Sequence, residues 1–382
     1  MTATTPAFPA LPGGAPWPDL DGIPFRRAGR EDLALAAVGA LAGGDDAAAR
    51  ALLLRDNDDW WNEAPPSVQE ARAAAGAPTL SRAVEALRLG RVGDYLRYRW
   101  SDPAFLAGLA LLDRAWPGTG PGAPAVLEVA AGTGVLLREL ALRGARRLTG
   151  VDVVHAKLWL ARRFVLGDVP GGGDVALVVA DAARAWPPEV EVALGDGDDR
   201  VVLCHDAFYF LPDPPATARR LRELAGAGGL VAVGSVPNGA RPGPVSGQRM
   251  TPEDLASWFP GALLFDDADL VEEVVSGRPA VPRAAVELAG ATHVSLVLGG
   301  RPDGSPVPGG PAHGLPVPGR ALRPNPLYGR DGRLAWPSPR YADDYADRSS
   351  YLPERLPSQD ELAADPTAWA RRRVLLDLPE HW

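Results

Sequence analysis

The chain has almost no sulfur and almost no lysine. Cys204 is its one cysteine, so no intrachain disulfide can form, and no His/Cys cluster offers metal-site spacing, so no metal is expected. Lys157 is the one lysine among 39 basic side chains, and with the abundance of Ala, Gly and Pro this reads as genomic base bias, not function. No apolar run approaches the ~18–20 residues needed to span a bilayer. Met1–Gly14 lacks a basic stretch followed by an apolar one, so no secretory signal is expected. Together these absences predict a cytoplasmic protein with no membrane partner. A net charge of −9 and a pI near 5.2 disfavour general attraction to nucleic acid.

What is present is a core. The 382 residues are 46% apolar, enough for one large domain or two smaller ones. Residues 1–30 are rich in Pro and Gly and predict irregular chain. From Glu31 to Trp116 the apolar spacing is helical, with helices expected near 47–55, 79–89 and 103–115. Residues 116–124 read as a linker. Strand and helix then alternate: strands at 125–129, 147–151, 174–180, 200–204 and 229–235, helices at 134–143, 155–166 and 214–226. This alternation predicts a parallel sheet covered on both faces. Gly144, Gly167 and Gly228 stand where helix ends favour left-handed residues. Thr251-Pro252-Glu253-Asp254 is a helix start, and strands follow near 270–275 and 292–298. After Gly299 the chain shows no period. Its aromatic tail, with Trp336, Tyr341, Tyr345, Tyr351, Trp369 and Trp382, is expected to pack over the core or against a second subunit, which would make a homodimer.

The most informative run is Val126-Leu127-Glu128-Val129-Ala130-Ala131-Gly132-Thr133-Gly134. It reads as a buried strand, a turn of small residues and a helix. A second strand ends at Asp152, eighteen residues after Gly134. Glycines in such a turn let backbone approach a ligand, and a carboxylate at the next strand end can accept from ribose hydroxyls. The dinucleotide fingerprint wants a third glycine where Leu137 stands, and Glu128 would repel a pyrophosphate. A nicotinamide oxidoreductase is therefore disfavoured. Glu128 suits an ammonium or sulfonium group instead.

This run resembles motif I of the class I S-adenosylmethionine-dependent methyltransferases, with Ala130 in place of the motif's first glycine. That departure resembles the small-molecule branch related to quinone-biosynthesis enzymes. The resemblance covers roughly residues 120–300. It implies a Rossmann-like α/β sheet of seven strands, mostly parallel with an antiparallel last strand. It implies S-adenosylmethionine as cofactor, with Glu128, Ala130, Gly132 and Gly134 at the turn and Asp152 at the ribose. Asp181 and Ala182, after the third strand, would meet the adenine edge. His205, Asp206 and Tyr209, at the end of the fourth strand, would lie beside the methionine part and face the substrate. His205 would serve as general base, or pack on the cofactor or donate to backbone. Asp206 would orient His205, hold an amine or stay solvated; Tyr209 would be wall or catalyst. An arginine or tyrosine of Tyr95–Trp100 would reach the methionine carboxylate. His155 reads as structural, His293 as facing a neighbour or solvent from within a strand, and Asn325-Pro326-Leu327-Tyr328 as a decoy.

The expected organisation is a helical extension or lid (1–116), the cofactor-binding domain (117–300) and an irregular C-terminal extension (301–382). The expected function is an enzyme that transfers a methyl group to a small-molecule acceptor, by in-line displacement. The alternative is a non-catalytic regulatory or scaffold protein that binds the same cofactor.

Overall fold

The computed structural model describes residues 8–57, 64–116, 118–119, 122–182, 184, 186–195, 199–243, 247–308 and 312–382, and only the backbone of Arg91. Parts of the expected irregular segments, namely 1–7, 117, 120–121 and 309–311, lie outside the described residues. Strands β1 (Asp19–Leu20) and β2 (Ile23–Arg26) come first. Helices α1 (Glu31–Ala42), α2 (Asp46–Leu53), α3 (Val68–Ala75), α4 (Leu80–Ala86), α5 (Gly90–Tyr98) and α6 (Pro103–Ala115) follow. The alternating region is β3 (Ala125–Val129), α7 (Val135–Leu142), β4 (Leu148–Asp152), α8 (His155–Leu160), β5 (Ala176–Ala180), α9 (Pro188–Leu194), β6 (Arg200–His205), α10 (Pro214–Ala225) and β7 (Leu230–Pro237). Then come α11 (Pro252–Trp258), β8 (Leu263–Asp266), α12 (Asp267–Ser276), β9 (His293–Leu298) and β10 (Arg323–Pro324). The chain continues through α13 (Pro339–Tyr345), α14 (Gln359–Ala364), α15 (Pro366–Arg371) and β11 (Leu375–Leu376).

The main sheet has the order β1-β2-β5-β4-β3-β6-β7-β9-β8. From β2 to β7 neighbouring strands are parallel, and β9 runs antiparallel to both β7 and β8. Every residue of β3 and β4 is buried, Glu128, Thr149 and Asp152 included, as central strands covered on both faces require. Six of the seven strands β3 to β9 are those expected from the sequence; β8 (Leu263–Asp266) was not, and it lies ahead of the segment expected to be a strand. The expectation of irregular chain over residues 1–30 is corrected by β1 and β2: β2 pairs with β5 and extends the sheet beyond seven strands. Such short strands, one containing Pro24, carry little local signal.

Two further expectations fail locally. Residues 270–275 are helical, within α12, not a strand. Asp266 caps this helix by accepting from Ala268 N, and acids occupy its first turn. Leu270 and Val274 are buried one turn apart. Gly144 is left-handed (φ +86°), but Gly167 and Gly228 are not; after α10 that role falls to Gly226 (φ +85°). At Gly228 the constraint is space instead, since a Cβ there would lie 2.7 Å from the Asp199 carboxylate.

Helix α6 is buried almost throughout and packs against β7, β9 and α12. Asp102 starts it by accepting from Phe105 N at 2.8 Å. Gly108 admits close approach to the sheet, because a Cβ there would lie 3.0 Å from His205 Nε2. The tail folds back over this region. Tyr341 is fully buried and its ring lies 5.5 Å from Tyr95 and 4.7 Å from Tyr345. Tyr341 OH donates to Tyr98 O at 3.2 Å. Buried Arg138 of α7 donates to Asp377 O at 3.1 Å, and Trp382 Nε1 donates to Arg97 O at 2.8 Å. The tail aromatics thus find their cover within the same chain. Among the described residues no helix is long and apolar enough to cross a membrane.

Tyr341→Ala is expected to destabilise the protein by about 3 kcal/mol or more, the usual cost of emptying a buried aromatic site. Denaturant midpoints would read the loss, and limited proteolysis would place new cleavage within residues 300–382. An unchanged midpoint and digestion pattern would show that the tail is not held by this ring.

Candidate functional site

The turn after β3 is built on left-handed backbone. Ala130, Gly132 and Gly134 have φ of +57°, +56° and +69°. Gly134 then begins α7. Ala130 pays a steric penalty there that glycine would not. Asp152, ending β4, fastens the turn: its Oδ2 accepts from Gly132 N and its Oδ1 from Val154 N, both at 2.9 Å. Lys157 Nζ stands 3.7 Å from the same carboxylate. A carboxylate offers about four acceptor positions, so two remain for a ligand's hydroxyls. Asp181 follows β5 and pairs with Arg184 at 3.1 Å, with Ala182 beside it.

Ala130, Gly132, Asp152, Lys157, Asp181, Ala182 and Arg184 line one cavity of about 1,100 Å³ at the carboxyl ends of the parallel strands, where ligands of open α/β sheets bind; Gly134, expected at the cofactor, lies outside that lining and starts α7. Glu128 is buried in its wall, and Glu128 Oε2 has no hydrogen-bond partner. Burial pushes its carboxyl up to about 8, against the pull of a Leu137 backbone hydrogen bond and the Arg99 charge. A cationic group in the cavity would satisfy that oxygen. S-adenosylmethionine carries both an ammonium and a sulfonium, so Glu128, the open face of Gly132, Asp152 and the Asp181–Ala182 pair fit it.

The structure brings His205, Asp206 and Tyr209 together at the end of β6, but each is already engaged. His205 Nε2 donates to Ala104 O at 2.7 Å. A Cβ at Gly234 would lie 2.1 Å from His205 Nδ1, so that nitrogen faces β7 backbone. Burial lowers the ring's pKa to about 4, partly offset by the Asp206 charge. Of the roles expected for His205, donation to backbone is the one seen: its proton is held by Ala104 O of α6, and the basic nitrogen, Nδ1, is buried against β7 without a partner, so the ring is not presented as a free general base. Burial raises the Asp206 carboxyl, but the charge of Arg99 and hydrogen bonds from Tyr209 and Arg99 outweigh it and hold the carboxyl low. Arg99 stands 2.7 Å from Asp206 and 3.2 Å from Asp102. Tyr209 OH donates to Asp206 Oδ1 at 2.7 Å, and burial beside that carboxylate raises its pKa well above the usual range.

The other half of the cavity is walled by Tyr95, Phe210, His293, Arg340, Tyr345 and Arg348. Three of these, Arg340, Tyr345 and Arg348, lie in the tail, where the sequence signals packing but not a site. The Tyr95–Trp100 segment reaches the cavity through Tyr95 and Arg99. His155 lies outside the lining, buried with its ring 6.3 Å from that of Phe25. Cys204 is buried, and no group of three metal-ligating side chains occurs among the described residues. Asn325 is structural: it accepts from Ser101 Oγ and donates to Arg373 O.

This strand order, with its glycine turn and the acid ending the adjacent strand, is similar to the class I S-adenosylmethionine-dependent methyltransferase arrangement expected from the sequence. Residues 126–229 match the methyltransferase domain family. That match supports an enzyme using S-adenosylmethionine as its cofactor. A ubiquinone biosynthesis O-methyltransferase of Neisseria meningitidis serogroup A / serotype 4A is 31% identical over 107 residues, 28% of this chain and 41% of that protein. The chain thus spans about two fifths of that curated relative. Among solved structures, the CcbJ methyltransferase of Streptomyces caelestis is 18% identical over 52% of this chain and 88% of its own (TM-score 0.36). Magnesium protoporphyrin IX methyltransferase of Synechocystis PCC 6803, solved with bound SAM, is 16% identical over 55% and 84% (TM-score 0.34).

Ala130→Gly is expected to stabilise the protein by up to about 1 kcal/mol. Left-handed backbone costs alanine about 1–2 kcal/mol, and the extra freedom of unfolded glycine returns about 0.5–1. A lowered denaturant midpoint would contradict this. Glu128 makes cofactor binding pH-dependent. A cation binding beside a carboxyl that titrates near 8 displaces its proton, so affinity should rise as pH climbs from 6 to 8. Calorimetric titration in buffers of differing ionisation enthalpy would detect the released proton, and Glu128→Gln should abolish the release. Equal affinities and buffer-independent heats in the native protein would overturn it.

Proposed function

We propose that the protein transfers a methyl group from S-adenosylmethionine to a small-molecule acceptor. The observation that carries this reading is the unpartnered Glu128 oxygen in a cavity with room for cofactor and acceptor together. Glu128, Asp152 and Asp181 with Ala182 would hold the cofactor, which supplies an electrophilic methyl group on a sulfonium. The chain's task is then to align the acceptor, at about 3–3.5 Å from that methyl, and to exclude water. Helix α5 and the tail, both lining the cavity, serve as its cover. We read residues 1–116 and 301–382 as extensions serving the domain at 117–300. The relative named for ubiquinone biosynthesis supports a small-molecule acceptor and oxygen as the atom methylated.

His205, Asp206 and Tyr209 act by position in this reading. His205 ties β6 to α6. Asp206 draws Arg99 to the cavity and holds the Tyr209 hydroxyl in place. An acceptor that arrives already nucleophilic needs no base from the protein. The same engagement of all three favours one alternative, a protein that binds the cofactor without turnover.

Calorimetric titration with S-adenosylmethionine tests the cofactor. Asp152→Asn should weaken binding about tenfold or more, the cost of losing charge-assisted hydrogen bonds. No binding at millimolar cofactor would sink both readings. Binding without transfer of labelled methyl to any member of a broad small-molecule panel would leave the binding protein ahead.

A further inference from the structure

The half of the cavity away from the glycine turn carries a guanidinium that no carboxylate pairs with directly among the described residues; the Arg348 charge reaches the buried Asp267 only through space. Arg348 follows α13, and its guanidinium is held by neutral acceptors. Nη1 donates to His293 Nδ1 at 2.9 Å, while Nε and Nη2 donate to Asp344 O at 3.3 and 3.0 Å. No ion pair of Arg348 occurs among the described residues. Asp344 points elsewhere: its Oδ2 accepts from Tyr95 OH and lies 3.9 Å from Arg340. Asp267, the buried carboxylate behind this wall, has both oxygens taken by Ser235 and Ser295 hydroxyls at 2.6 Å. Arg241, also lining the cavity, has no ion pair among the described residues either.

A guanidinium has five N–H groups, and Arg348 uses three, leaving one on each terminal nitrogen. His293 is fixed in the complementary state. Its Nδ1 accepts from Arg348, so the ring is neutral and its proton sits on Nε2. Burial and the Arg348 charge keep it so, with a pKa lowered to about 3. The pair therefore offers donors to the cavity and no acceptor. A half-buried cation without a counter-ion is costly unless a ligand supplies one. The walls beside it are flat and apolar: Arg348 lies 5.4 Å over the Tyr345 ring, and the Tyr209 and Phe210 rings are 4.3 Å apart.

We propose that Arg348 and His293 form the acceptor subsite and take the carboxylate of a planar, carboxylate-bearing substrate. This rests on the methyl-transfer reading and gives its acceptor a chemical class. The carboxylate binds the arginine fork, the Nε2–H of His293 adds a hydrogen bond, and the aromatic walls hold the ring. The tail thereby selects the substrate, while the turn after β3 holds the cofactor.

The test is calorimetric titration of the S-adenosylhomocysteine-loaded protein with hydroxybenzoic and hydroxycinnamic acids, each paired with its methyl ester. Native protein should bind at least one acid tenfold or more tightly than its ester. Arg348→Gln should bring that ratio below about threefold, by weakening the acid and leaving the ester and S-adenosylhomocysteine unaffected. Arg348→Lys should restore part of the preference. Equal binding of every acid and ester, no binding by either series, or an Arg348→Gln protein that keeps the preference would overturn the subsite. Equal loss of acid and ester would show that Arg348 only secures the tail, and would also overturn it. Failure of S-adenosylhomocysteine to bind would instead remove the methyltransferase reading; the acid–ester ratio of the unloaded protein would still decide whether Arg348 recognises carboxylates.

Discussion

One carboxylate joins the two strand ends on which the site depends. Asp152 accepts from the Gly132 amide across the cleft and from the Val154 amide in its own loop. The turn from Ala130 to Gly134 is unfavourable backbone for ordinary residues, and it persists because its amides are claimed from outside. With the turn fixed, α7 begins at Gly134 and closes over Glu128. Burial of Glu128 and the direction of the α7 N-terminus both follow from that single clamp.

The cavity is a problem in placing charge as much as shape. Glu128, Asp102 and Asp206 are buried within reach of one cation, Arg99, which pairs directly with two of them. That arrangement leaves Glu128 the least compensated and the readiest to meet a positive ligand. On the far side the imbalance reverses, with Arg348 and Arg241 outnumbering acids. A molecule lying along the cavity therefore meets acceptors at one end and donors at the other, a polarity suited to a cationic donor and an anionic acceptor.

The parallel core was legible because its strands are buried on both faces, so they read as short apolar runs ended by an acid or glycine. Glu128, Gly132, Gly134 and Asp152 could be placed from spacing alone, since strand ends and turn chemistry are local. Residues 270–275 misled because their valines favour strands, while the helix is decided by Asp266 and by burial one turn apart. His205 was located at the correct edge, but the carbonyl that occupies it comes from Ala104, 101 residues away. Arg348, His293 and Tyr345 were invisible as a site for the same reason. Tyr95 meets Asp344 across 249 residues, and no periodicity encodes such an encounter.

The dependence of the cavity on α13 has a consequence for how the protein matures in the cell. Gly134 leaves the ribosome long before Tyr345, and at about 5–20 residues per second the interval is roughly 10–40 s. During that time the sheet and its glycine turn can form while the aromatic face of α5 remains bare. The nascent chain passes through a stage with one half of the pocket assembled and the other half open to solvent. Chaperone contact at that stage would fall on Tyr95 and Tyr98, and competence to select an acceptor would arrive only as the tail docks.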